Sequence, residues 1–324
     1  MLHGRFTRFL VQRMVFLSLG NLLLLGAIFV LTRNGGSFRD VILHAAPNIA
    51  PTLLAGLGLT GILCAGAIDL SIASIIALSG AVFGVFVARG FPPVFCYVAC
   101  YLTGVGLSGL NGSLVRWMKI PPLIITLGGL AFYRGMALIL ADSAIPGFSG
   151  NISVPDDAFH SPGKEYAGVI LFGAIALALL WEGFSKTFCK WLALGNSEEA
   201  CHLVGMSPGR VMQSAFWVGG LFLGLSALVF VTRIQAIEPA RMALGLELQV
   251  IGAVILGGTN IFGGEGSYAG TVLGAFFLYF LSELMVYAGV SPYYQEVAAG
   301  AIIIFVIGLD CGMHRKRKLL EEVA

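Results

Sequence analysis

One carboxylate and two hydroxyls interrupt a long apolar stretch at residues 65–74, where the sequence reads AGAIDLSIAS. A carboxylate at the centre of a bilayer is costly, so Asp69 should either reach the membrane interface or find donors inside the protein. As the N-cap of the following helix, Asp69 would accept hydrogen bonds from amides near Ser71 and Ile72. The other interpretation is that this segment breaks a membrane helix and lines a polar path through the protein.

A second interruption lies at residues 256–267, which read LGGTNIFGGEGS and include Thr259 and Asn260. The glycines superficially suggest a phosphate-binding loop. Such a loop ends in Lys followed by Ser or Thr, because the lysine and the hydroxyl hold the phosphates and magnesium, and this ending is absent here. Because the segment lies between two apolar stretches, a broken membrane helix is the better interpretation.

Further polar residues lie within or beside apolar stretches. Arg134 is suited either to pairing inside the protein or to lining a path. Glu247 and Gln249 open a predicted helix, where negative charge favours the positive end of the helix dipole. The candidates for lining a path are Asp69, Ser71, Asn111, Arg134, Glu247, Thr259 and Asn260.

Motifs for catalysis or for metal binding are missing. The sequence has no HExxH, no GxSxG elbow and no credible dinucleotide fingerprint, and its five histidines are scattered. The six cysteines form no CxxC pair and are interpreted as small apolar residues. We therefore predict no catalytic residue, no metal site and no cofactor bound by this chain, and the net charge of +2 does not indicate nucleic acid.

The elements that must position these residues are membrane helices. The chain is 57% hydrophobic and 11% charged, whereas soluble domains average about 25% charged residues. The apolar runs are continuous, unlike the short alternating segments of a β-barrel, and no cleavage site follows the first of them. The sequence therefore predicts an all-α, polytopic membrane bundle that forms one transmembrane domain over residues 1–324. About ten spans are expected near 14–32, 41–63, 70–89, 92–115, 122–141, 167–185, 212–232, 247–263, 267–289 and 293–310.

Basic residues indicate an orientation. With both termini in the cytoplasm, twelve basic residues fall inside and six outside, which follows the positive-inside rule, although Arg33 and Arg39 oppose it. The longest outer loop is then 142–166. The longest inner loop is 186–211, and its polar stretch between Gly195 and Gly205 could form a short helix. Such a helix suggests a docking surface for another protein, and a solvated connector is the alternative.

Several segments, in the same order and over most of the chain, resemble the permease subunits of ribose-type carbohydrate ABC importers, a family that also includes permeases for xylose, rhamnose and autoinducer-2. The segments that carry the resemblance are AIDLSI at 67–72, LNG at 110–112, IPPLIITLG at 120–128, GLEL at 245–248, ILGGT at 255–259 and GGEGS at 263–267. In this family the inner loop carries the helix that couples the permease to its ATPase. That assignment would fall on Gly195, Asn196, Glu198, Glu199, Ala200 and Gly205.

The resemblance implies a bacterial inner-membrane permease for a monosaccharide such as a pentose or deoxyhexose. Its partners would be ATPase subunits that hold ATP and magnesium, a periplasmic sugar-binding protein and a second permease subunit, identical or different. The chain departs from the family pattern at Ala67, Ala73 and Gly195, and it has Ser282-Glu283-Leu284 where an Asn-Gly pair is frequent. These departures leave the substrate open.

Other classes of transporter or enzyme are the alternatives. An ABC permease for branched-chain amino acids or nucleosides is the nearest. An ion-coupled secondary transporter would need ionisable residues at the bilayer midplane, for which Asp69, Arg134 and Glu283 are the candidates. A membrane enzyme would need converging catalytic groups, which the sequence does not show.

Overall fold

The computed structural model describes residues 2–32, 38–144, 150–154, 159–234, 236–291, 293–295, 297, 298, 300, 301, 304 and 308. Almost every element is a helix, and two short strands complete the fold. In chain order the elements are α1 (Leu2–Thr32), α2 (Phe38–Cys64), α3 (Ile72–Ala88), α4 (Pro93–Met118), α5 (Pro122–Ala144), β1 (Ile152–Ser153), α6 (Ser161–Lys164), α7 (Ala167–Phe184), α8 (Lys186–Asn196), α9 (Glu198–Leu203), α10 (Pro208–Arg233), β2 (Ala236–Ile237), α11 (Leu246–Leu256) and α12 (Tyr268–Tyr287).

Nine helices correspond to nine of the ten predicted spans. Seven are long and apolar enough to cross a membrane, namely α1, α2, α4, α5, α7, α10 and α12. The shorter apolar helices α3 and α11 have 17 and 11 residues because each is bounded by one of the two polar interruptions. The all-α membrane bundle is thus confirmed. The expected end of the eighth span at residue 263 was wrong, since α11 ends at Leu256, and most of the tenth span, 293–310, lies outside the described residues.

Helix α2 forms the centre of the bundle. In the most apolar stretch of α2, 83% of the residues are buried, whereas in α1 only 17% are buried and apolar side chains such as Phe16 and Leu23 point outward. Small residues allow the central helices to approach closely. A Cβ on Gly58 of α2 would lie 2.6 Å from the carbonyl oxygen of Gly219 in α10. Such contacts provide the van der Waals packing that holds membrane helices together.

The two ends of the bundle differ. At one end, which we call the β end, β1 pairs antiparallel with β2 through Ile152 and Ile237. The imidazole Nδ1 of His160 lies 2.9 Å from the carbonyl oxygen of Thr232 and ties the segment before α6 to the last turn of α10. At the other end, which we call the α9 end, lie α8, α9 and the α4–α5 connection. The short helix expected between Gly195 and Gly205 is α9.

Candidate functional site

The first helix break separates α2 from α3, and Asp69 within it is fully buried. Its Oδ1 accepts hydrogen bonds from the backbone amide of Ser71 at 2.8 Å and from the Ser71 hydroxyl at 2.6 Å. The predicted amide partner at Ser71 is therefore present. The prediction that Asp69 is the N-cap was wrong, because helical geometry begins at Ile72 and makes Ser71 the cap. Asp69 instead closes a local side-chain turn just before the helix.

A chain of hydrogen bonds joins this break to α4 and α5. The side-chain amide of Asn111 donates to Ser71 Oγ at 2.9 Å, and the Tyr133 hydroxyl donates to Asn111 Oδ1 at 2.6 Å. Asn111 is fully buried and Tyr133 is nearly so. The sequence predicted Asp69, Ser71 and Asn111 as candidates but missed Tyr133, whose hydroxyl inside an apolar helix was the available signal.

The network leaves little space for a solute. The cavity beside Asp69 measures only about 10 Å³ and is lined mainly by apolar residues of α2, α3 and α10. That volume is close to the minimum for a single water molecule. In the conformation of this structure, Asp69, Ser71, Asn111 and Tyr133 therefore brace α3, α4 and α5 against one another in a closed arrangement.

Substitution of Asp69 separates bracing from transport. Asp69→Asn should keep the protein's thermal stability, because the amide oxygen can accept both bonds from Ser71. Asp69→Ala should lower the stability by about 1–3 kcal/mol, since a buried amide and hydroxyl lose their acceptor. Thermal unfolding in detergent and uptake in vesicles measure the two effects. A wild-type stability for Asp69→Ala would contradict the bracing role, whereas lost uptake in a stable Asp69→Asn would show that the carboxylate itself acts in transport.

The second break spans the residues between α11 and α12. Asn260 closes it locally. Its side-chain Oδ1 accepts a hydrogen bond from the backbone amide of Phe262 at 2.9 Å, and its backbone amide donates to the Glu265 carbonyl at 2.9 Å. Thr259 is fully buried. These amides are engaged within the loop, so the segment does not form an open phosphate cradle, as the missing lysine had indicated.

The two breaks contact each other and the end of α8. The Gly264 amide donates to the Cys64 carbonyl at 3.0 Å, and the Asn196 side-chain amide donates to the Gly264 carbonyl at 3.0 Å. A Cβ on Gly195 would collide with the Cys64 carbonyl oxygen and the Gly264 amide nitrogen. We call this meeting of Gly66, Gly195, Gly263 and Gly264 the glycine junction. The sequence placed its members in three unrelated segments.

Helix α8 is anchored to the bundle on the side opposite to its exposed residues. Trp191 is fully buried, and its indole N–H donates to the Ser214 hydroxyl of α10 at 2.9 Å. The adjoining α9 is instead exposed at Glu198, Glu199 and Ala200. It begins with a cap in which Ser197 Oγ accepts from the Ala200 amide at 3.1 Å.

The six residues predicted to couple to an ATPase therefore do not all lie on one surface. Gly195 and Asn196 face the glycine junction, whereas Glu198, Glu199 and Ala200 face outward and Gly205 ends the segment with a φ of +76°. Sequence reasoning missed the exposed apolar end of α9, where Leu203 is 89% and Val204 is 71% exposed. Exposed apolar side chains beside charged ones are typical of a protein-binding surface.

Arg134 and Glu247 lie apart from the Asp69 network. The Arg134 guanidinium donates to the carbonyls of Pro239 at 2.9 Å and Met242 at 2.7 Å, and so holds the segment before α11 against α5. Glu247 interacts electrostatically with Arg134 and lies in the first turn of α11, where its charge favours the helix dipole. Among the described residues, no three His, Cys, Asp or Glu side chains lie close enough together to hold a metal ion.

The broken helices of this membrane bundle meet the end of α8, which adjoins the exposed helix α9, and such an arrangement suits a transport permease. Residues 41–307 match the family described as branched-chain amino acid transport system / permease component, and the chain belongs to that family. Members of it are transport subunits and not enzymes.

Curated relatives agree with this assignment. The chain is 31% identical to the autoinducer 2 import system permease protein of Photorhabdus luminescens, over 84% of this chain and 81% of the relative. It is 29% identical to the ribose import permease protein of Haemophilus influenzae over 94% of both chains, and 31% identical to that of Bacillus subtilis over 83% of this chain and 84% of the relative.

Among solved structures, a chain of a metal-chelate-type ABC transporter in an inward-facing conformation matches with a TM-score of 0.52. It shares 12% sequence identity, with 93% of this chain and 98% of the other covered. At that identity the match supports the fold.

Proposed function

We propose that this chain is the permease subunit of a bacterial ABC importer that carries a monosaccharide across the inner membrane. The observation that carries the proposal is the glycine junction, because there the end of α8, which adjoins the exposed helix α9, contacts both interruptions of the membrane helices. Relatives named for ribose and autoinducer 2 import support a sugar or sugar-like substrate.

In this proposal the ATPase subunits dock on α9, and ATP with magnesium is held by them and not by this chain. The docking residues are Glu198, Glu199 and Ala200, together with the apolar Leu203. A periplasmic sugar-binding protein faces the β end, and a second permease subunit completes the transport path. The single transmembrane domain thus carries its coupling loop at 186–211.

Movement would pass from α9 to α8, because only Ser197 separates the two helices. Helix α8 is held to α10 by Trp191 and meets both breaks through Gly195 and Asn196. A displacement of α8 therefore changes the relation of α2 and α3 to α11 and α12. Such a bundle works as a two-state gate, and the ATPase must contact the two states differently to drive it.

The candidates Asp69, Ser71, Asn111, Arg134, Glu247, Thr259 and Asn260 then act as the parts that the gate rearranges. In the closed arrangement they brace the helices, and opening would expose some of them to the path. Irregular backbone at membrane depth is tolerated where it is buried in protein or lines a water-filled cavity, and the same segments can satisfy either condition.

The function is tested by reconstituting the chain with its cognate ATPase and binding protein in vesicles. We expect ATP-dependent uptake of one member of a panel of pentoses, deoxyhexoses and autoinducer-2, and no uptake without the ATPase. The same vesicles report orientation, since an impermeant thiol reagent should reach the exposed Cys189 only from the side where the ATPase binds. Uptake driven by an ion gradient alone would overturn the proposal in favour of a secondary transporter.

A further inference from the structure

Two adjoining cavities lie toward the β end beside α2 and α11; the smaller one also borders α12, and the larger one borders α10. The smaller measures about 140 Å³ and the larger about 280 Å³, and both are lined by Asn48, Thr52 and Gln249. The larger one alone approaches the lower limit of about 300 Å³ that is common for small-molecule sites. Neither includes the Asp69 network.

The described residues that line the smaller cavity carry no formal charge. Its polar groups are amides and hydroxyls, namely Asn48, Thr52, Gln249, Tyr279, Ser282 and Gln295. Each amide offers both donors and acceptors, and each hydroxyl offers one donor and two acceptor positions. A small uncharged molecule with several hydroxyl groups is the ligand that matches this set.

Three of these polar side chains lie where contact with lipid hydrocarbon would leave their hydrogen-bonding groups without partners. Asn48, Gln249 and Ser282 are exposed on this chain, yet they belong to helices that are apolar enough to lie within a membrane. Hydrocarbon cannot satisfy their hydrogen bonds. They must therefore face water, a solute or another protein.

One wall of the cavity is fixed in advance. The Arg233 guanidinium donates to Asn48 Oδ1 at 2.7 Å and to the Pro47 carbonyl at 3.3 Å, and Asn48 also interacts with Tyr279. A wall ordered before binding reduces the entropy lost when a solute is held. Gln249 and Ser282 complete the opposite side from α11 and α12.

We infer that these two cavities form a polar binding site where a neutral polyhydroxylated solute is held on its way through the permease. The inference rests on the proposed transport function and adds the place in the permease where its substrate is held. An amino acid would require a partner for its carboxylate. Arg233 and Arg241, which line the larger cavity, are the groups that could supply one, so the choice between a sugar and an amino acid can be measured.

The test replaces Gln249 with leucine, which has a similar size and no hydrogen-bonding groups. Initial uptake of radiolabelled D-ribose, or of the panel sugar that the wild-type complex carries, is measured with the ATPase and binding protein present. We expect Gln249→Leu to lower uptake roughly three- to tenfold, because one hydrogen bond to the solute is lost. Adding Ser282→Ala should lower it further. The matched control is Gln12→Leu, at an exposed glutamine of α1 outside both cavities, and it should transport like the wild type.

Three outcomes would overturn the inference. Gln249→Leu could transport as well as Gln12→Leu, it could fail to assemble with its partners and so mark a subunit interface, or leucine could compete with uptake better than the sugar does. A wild-type complex that carries no sugar would instead overturn the proposed function. The wild-type measurement therefore distinguishes the two failures.

Discussion

Gly195→Ala is expected to reduce ATP-driven uptake by more than about tenfold, although it adds a single methyl group. That methyl would collide with the carbonyl oxygen of Cys64 and the amide nitrogen of Gly264. Both are backbone atoms, so neither can move aside by changing a rotamer. Overpacking of this kind costs about 1–3 kcal/mol, which exceeds the gain of about 1 kcal/mol from replacing glycine by alanine in a helix. Helix α8 must therefore shift away from both breaks.

Gly183→Ala provides the matched control. Gly183 is the penultimate residue of α7, as Gly195 is of α8, but a Cβ there meets no atom within 4 Å. We expect this variant to match or slightly exceed the wild type in thermal stability and to transport normally. Both variants are compared by membrane content, unfolding temperature and initial uptake rate. Equal uptake by the two variants would show that the junction does not transmit movement.

Much of the helical framework could be predicted from the sequence because its signals are local. A membrane span is recognised from the length of a continuous apolar run, and nine of these runs became helices. The polar interruptions and the short helix between Gly195 and Gly205 were likewise visible, because glycine and polar residues stand out in an apolar background. The end of α11 was placed seven residues late because Ile261 and Phe262 extend the apolar character into the loop.

The parts that could not be predicted are contacts between distant segments. No local pattern brings Gly66, Gly195 and Gly264 together, since their proximity depends on how three helix ends pack. The same holds for the hydrogen bond that joins Tyr133 of α5 to Asn111 of α4, and for the cavity beside Gln249 whose described lining residues are uncharged. The family resemblance marked Gly195 and Glu198 as one coupling segment. Only the packing shows that one faces the bundle and the other faces outward.

Charge reversal on α9 is the second large effect that we expect. Glu198→Arg with Glu199→Arg should abolish coupled uptake, because it changes the exposed first turn of the docking helix from two negative to two positive charges. Some loss of helix stability is expected as well, at about 0.3–1 kcal/mol for each charge placed against the helix dipole. Uptake is compared with the partner's ATP hydrolysis in the same vesicles, and we expect hydrolysis to continue without transport.

The neutral pair Glu198→Gln with Glu199→Gln separates these causes. It removes the favourable dipole interaction without creating repulsion, so it should retain far more uptake than the arginine pair if docking is electrostatic. Leu203→Asp tests the apolar part of the same surface, where the side chain is 89% exposed and its replacement should not disturb the fold. If both the arginine pair and Leu203→Asp transported normally, α9 would be a solvated connector, and the glycine junction would have to receive its movement from another surface of the α9 end.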